Sequence, residues 1–179
     1  MLKLTTLALF LILFSACATD ETDNSGSGSF TLSSSAFTDG GTLPALYTCD
    51  GTSKSPPLSW SGAPDTTTEF ALLMTTLPGD GTTKWNWVLY NIPSTTTSLP
   101  EGATDVGTFG VTSDGPDLAY SGPCSQGPGQ KDYTFTLYAL SEAPTLNVEA
   151  ALVSGDVLGS ALSSITVEST SITVGYTRE

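Results

Sequence analysis

Apolar and polar residues alternate along KWNWVLYNIP (84–93) with the two-residue period of a β-strand. On strict alternation, Trp85, Trp87 and Leu89 share one face, and Lys84, Asn86 and Val88 share the other. The period is cleanest in YTFTLYAL (133–140). There Tyr133, Phe135, Leu137 and Ala139 face one way, and Thr134, Thr136, Tyr138 and Leu140 the other. FALLMT (70–75) is a continuous apolar run, which predicts a strand covered on both faces. Shorter extended pieces are predicted at 30–37, 43–48, 58–60 and 172–176. Helical spacing occurs in one place, through Val148, Leu152, Val157, Leu158 and Leu162, and predicts a helix over 148–162. Segment 49–57 is turn chemistry, and 94–131 reads as loop, rich in Gly, Thr, Ser and Asp. No internal repeat is present.

Composition agrees with a β-rich chain: 18 Gly and 11 Pro in 179 residues, with Ser and Thr throughout. The pattern predicts a mainly β fold with many turns. Histidine is absent. That excludes Ser-His-Asp and Cys-His catalytic units and imidazole-ligated zinc. Five basic residues against eighteen acidic ones give a formal charge of −13, which argues against nucleic acid and against electrostatic attachment to anionic lipid. Asp80, Asp114 and Asp117 are the candidate carboxylates for a hydrolase, but no spacing pairs them, and aspartates in Gly-rich loops are ordinary turn residues. The Asp-rich loops carry no calcium-loop signature. No catalytic residue, metal or cofactor is therefore assigned.

The first residues, MLKLTTLALFLILFSAC, combine a Lys, an apolar run and small residues, as a signal peptide does. FSAC (14–17) resembles a bacterial lipobox, with Phe14 where Leu is usual, and implies cleavage before Cys17 and its acylation. An ordinary secretory signal with a chance Cys is the alternative. Residues 1–16 are thus read as a lipoprotein signal, and 17–29, acidic and then Gly/Ser-rich, as a flexible tether. A single domain follows over 30–179. Ala18 after the Cys favours the outer membrane by the sorting rule of enteric bacteria, and an acidic stretch there also resembles a surface-export signal. The expected location is the cell envelope, lipid-anchored, with the membrane face open. Two cysteines remain, Cys49 and Cys124. Outside the cytoplasm such a pair is expected to be bridged, with two buried thiols as the alternative.

Four stretches carry a family resemblance: YTCDGTSKSPPLSWSGAP (47–64), KWNWVLYNIP (84–93) with SLPEG (98–102), YSGPCSQGPGQKDYTFTLYAL (120–140), and DVLGSALSS with TVGYTRE near the end. In this order the chain resembles the phosphatidylethanolamine-binding proteins, especially their bacterial Raf-kinase-inhibitor-like branch of YbhB/YbcL type, over about residues 30–179. The resemblance implies an antiparallel β-sandwich with one or two short peripheral helices and a small anion pocket at one end. It also supports a Cys49–Cys124 bridge. The family pocket is lined by an aspartate loop, two histidines and a Gly-Pro turn. The aspartate loop falls on 76–80, where only Asp80 remains. Asn86 and Lys131 occupy the two histidine positions, and the turn survives as Gly122-Pro123, preceded by Tyr120. Asn86 and Lys131 can still hold an anion, by amide and by charge, without a histidine's pH switch. Lys84, beside a turn, is expected to be a solvated charge, and Trp60, Trp85 and Trp87 are expected in the core.

The expected function is a non-enzymatic lipoprotein binding a small anionic or phosphate-bearing ligand, such as a head group, with Asn86, Lys131, Tyr120, Gly122, Pro123 and Asp80 around it. The alternative is a surface interaction module whose pocket is vestigial and whose long loops meet a protein partner of unknown kind.

Overall fold

The computed structural model describes residues 28–124, 126 and 128–178. Cys17, the signal segment and most of the tether lie outside them. The fold is mainly β, with two antiparallel sheets, one short helix and two 3-10 turns. A three-stranded sheet runs β1 (Thr31–Ser33), β2 (Leu58–Ser61), β5 (Ser98–Leu99). The larger sheet has the order β6-β4-β3-β7-β8. Its strands are β3 (Glu69–Thr76), β4 (Lys84–Pro93), β6 (Thr108–Phe109), β7 (Lys131–Leu140) and β8 (Thr166–Tyr176).

The alternation in β7 explains the layering. Tyr133, Phe135, Leu137 and Ala139 join Leu72, Met74, Trp87 and Leu89 in the core between the sheets, with Trp60 and Leu32 from the smaller sheet. The opposite face of the large sheet holds a second cluster, in which Leu73, Val88, Tyr90 and Leu140 meet Val153, Leu158 and Leu162. β3 is therefore covered on both faces, which is why it reads as an unbroken apolar run.

Three expectations are corrected. Segment 43–48 is not extended: Ala45–Tyr47 forms a 3-10 turn after Pro44, closed by bonds from the Tyr47 and Thr48 amides to Pro44 O and Ala45 O. The helix is confined to α1 (Gly155–Leu162), preceded by a 3-10 turn at Ala150–Leu152. The Ser154 side chain accepts from the Val157 amide and caps α1, while Val153 is extended and its carbonyl accepts from Val111. Val148 and Leu152 are consequently exposed rather than buried on a helical stripe. Finally, Trp85 and Trp87 do not share a face. The register passes from Met74 opposite Trp87 to Thr75 opposite Trp85, so β4 carries one extra residue, Asn86, at a β-bulge. Trp87 enters the inter-sheet core, and Trp85 packs with the outer cluster over Gly155.

Candidate functional site

One end of the large sheet gathers the polar residues of the sequence reading. Thr76 pairs with Lys84 on one side and with Tyr133 on the other, so the three lie abreast at the end of β3, β4 and β7. Lys131 precedes Tyr133 by two residues and takes the same face. Here the structure forms a half-open cavity of about 90 Å³, whose wall includes Thr76, Lys84, Asn86, Asp114, Lys131 and Tyr133. That is room for about three waters, or for one tetrahedral oxyanion. Thr76 and Lys131 also border an open cleft of about 500 Å³ next to it.

The bulge sets Asn86 into this wall. Its Nδ2 donates to Ser121 O at 3.1 Å, and the Ser121 amide returns a bond to Asn86 O at 2.8 Å. Asn86 is only 4% exposed, and its Oδ1 has no protein partner; the buried hydroxyl of Thr76 has none either. Unpartnered buried polar atoms are costly. Asp114 Oδ2 accepts from Ser121 Oγ at 2.7 Å.

The loop 120–124 contributes Cys124 to the cavity wall and is tied to loop 47–53. Cys49 and Cys124 are bridged, with Cα atoms 5.3 Å apart. The Cys49 amide donates to Pro123 O, the Gly122 amide to Ser53 Oγ, and the Tyr120 hydroxyl to Tyr47 O at 2.6 Å. A Cβ on Gly122 would collide with Ser53 Oγ, so this close approach requires glycine. Tyr120 also meets Trp87 edge to face. Burial, with the nearby Tyr133 and Tyr47 hydroxyls, pushes the Tyr120 hydroxyl far above the usual tyrosine range, so it stays a neutral donor.

Of the residues singled out in the sequence, Asn86 and Lys131 are brought together on the cavity wall. Tyr120, Gly122 and Pro123 belong to the loop that contributes Cys124 to it. Asp80 is exposed, and its Oδ1 accepts from the Thr82 amide within a turn, off the cavity wall. Lys84, expected in solvent, also lines the cavity. No sequence signal places it there, because the bulge at Asn86 breaks the alternation between the two positions. Thr76 and Asp114 have no signal either. Among the described residues, Lys54 pairs with Glu101 at 4.0 Å and Arg178 with Asp50 at 3.0 Å. No ion pair engages Lys84 or Lys131 among them, and no group of acidic or sulfur side chains there could hold a metal.

The family model for phosphatidylethanolamine-binding protein matches residues 33–177. The chain belongs to this family. A UPF0098 protein of Methanothermobacter thermautotrophicus is 38% identical over 132 residues, 71% of this chain and 85% of its own. The "Putative lipoprotein LppC" of Mycobacterium tuberculosis is 34% identical over 114 residues, 63% of this chain and 56% of its own. Among solved structures, E. coli YbcL, described as a member of the mammalian PEBP family, superposes with a TM-score of 0.75 at 26% identity, covering 85% of this chain and all of YbcL. This PEBP-family domain thus has the expected sandwich, with Asn86 and Lys131 on the wall of a small cavity at one end of the large sheet.

Proposed function

We propose that this PEBP-family chain is a non-enzymatic cell-envelope lipoprotein whose small cavity holds the phosphate group of an anionic ligand. The observation that carries the reading is the convergence of Lys84 and Lys131 on a cavity of about 90 Å³ in so acidic a chain. Asp114 is the one carboxylate among the described residues of that wall, so two lysines against one aspartate leave a net positive charge for an anion to balance. The adjoining cleft at Thr76 and Lys131 leaves space for the rest of a phosphate-bearing molecule. Anchoring through Cys17 is supported by the lipobox-like FSAC and by the name of the mycobacterial relative, and placement on the outer membrane rests on Ala18 after the Cys alone.

Calorimetric titration with inorganic phosphate tests the ligand reading. Wild type should bind, and Lys131→Ala should lose most of the binding while its stability changes by no more than ~0.5 kcal/mol. Equal binding by both, or binding by neither, overturns the reading and leaves an interaction module in its place. Mass spectrometry of the membrane fraction tests the anchor, where an unmodified, soluble mature chain would overturn it.

A further inference from the structure

The open cleft of about 500 Å³ beside the cavity falls within the roughly 300–1,000 Å³ of ordinary small-molecule pockets. Its wall is polar where such pockets are mostly apolar: among the described lining residues, Leu77 is the single large apolar side chain, against four threonines, Gln130, Lys131 and Asp132. Thr75 and Thr134 stand opposite each other in the β3–β7 ladder, and Thr134 Oγ1 lies 2.9 Å from Thr173 Oγ1 in β8, so a row of hydroxyl-bearing residues crosses this end of the sheet. Gln130 and Asp132 are both exposed, yet they are held in place. Gln130 packs over Gly175, where a Cβ would collide with its amide, and its Nε2 donates to Asp132 Oδ1 at 2.9 Å. That bond leaves Gln130 Oε1 and Asp132 Oδ2, which can only accept. An occupant of the cleft must therefore bring donors. An alkyl chain brings none. An ammonium brings them, but Lys131 borders the cleft as well as the cavity and repels a second cation. A second acidic group meets Asp132. Neutral hydroxyls satisfy the amide, the carboxylate and the threonines alike, and their bonds to an ionised carboxylate are the strong ones. Resting on the anion-binding reading above, we infer that the ligand is a phosphate monoester of a polyol, of the sugar phosphate class, with its phosphate at Lys84 and Lys131 and its hydroxyls at Gln130 and Asp132.

Titrations of the disulfide-intact protein with inorganic phosphate, glucose-6-phosphate, phosphoethanolamine and dihexanoyl phosphatidate test this. Glucose-6-phosphate should bind at least ~10-fold more tightly than inorganic phosphate, the gain that two or three added hydrogen bonds supply. Phosphoethanolamine, with an ammonium in place of hydroxyls, and the phosphatidate, with acyl chains, should bind no more tightly than inorganic phosphate. Gln130→Ala removes half of the held pair at an exposed position. It should bring the ratio of glucose-6-phosphate to phosphate affinity at least ~3-fold closer to one. Equal binding of glucose-6-phosphate and phosphate overturns the inference and leaves the anion-binding reading intact. Tighter binding of phosphoethanolamine than of glucose-6-phosphate overturns it in favour of a cationic head group, and tighter binding of the phosphatidate in favour of a lipid. A ratio that Gln130→Ala leaves unchanged overturns the place given to the hydroxyls. Binding of none of the four removes both the inference and the reading beneath it.

Discussion

Glu69 opens β3 at the far end of the sheet from the cavity, and its Oε2 is buried without a partner. Burial raises its pKa above the ordinary glutamate value. The folded chain therefore keeps this proton to higher pH than the unfolded chain does, and between the two pKa values the folded state binds more protons. Stability must fall as pH rises from ~4.3, the unfolded value, through the folded one, and the penalty persists at neutral pH. Glu69→Gln should raise the melting temperature at neutral pH, with the gain shrinking toward pH ~4. An equal gain at both pH values would show that charge is not the cause. The same scale shows what the sequence could not convey about the site. Asn86 and Lys131 were found through the family's two histidine positions. Lys84, a partly exposed charge at a strand entrance, also borders the cavity, which its place beside a turn does not convey. That Asn86 is a bulge residue has no local signal, since Trp85-Asn86-Trp87 alternates as a regular strand does and only the pairing with β3 reveals the extra residue.

Among the elements, the strongly patterned ones were legible and the weakly patterned ones were not. β3, β4 and β7 build the large sheet, and their apolar content dictates their burial. β8 begins at Thr166, six residues before the predicted strand, because TVESTS carries no apolar period and its shape comes from the ladder with β7. The helix was overextended for the opposite reason: Val148 and Leu152 have helical spacing but lie before the Ser154 cap. Gly155, the first residue of α1, packs against the Trp85 ring so closely that a Cβ would enter it. Alanine normally favours a helix over glycine by ~1 kcal/mol. Here the rigid indole, confined between sheet and helix, should reverse that sign. Gly155→Ala is expected to cost ~1–3 kcal/mol by overpacking, read from the denaturant midpoint. A stabilised variant would mean that the ring yields.

At the scale of the whole molecule, the Cys49–Cys124 bridge spans 75 residues and joins the loop beside the cavity to the loop before β2. In the chain-entropy picture a loop of that length stabilises by ~4 kcal/mol. Reduction should lower the melting temperature and weaken phosphate binding together; binding retained in full after reduction would show that the loop holds its place without the bridge. This pair is legible in the sequence, because setting Cys17 aside as the lipobox cysteine leaves only Cys49 and Cys124, and the family resemblance supports the same bridge. The distribution of charge has a kinetic consequence. The chain carries −13 overall, while Lys84 and Lys131 are confined to one recess. A phosphate arriving from far away meets the molecule's field before it meets the lysines. Salt shortens that field to about 10 Å at ~0.1 M, leaving the nearby ammonium groups to act. Association should then quicken, not slow, as ionic strength rises from ~0.01 to ~0.1 M, the reverse of ordinary electrostatic steering. A stopped-flow rate that falls over this range would place the lysines' attraction above the whole chain's repulsion, even at a distance.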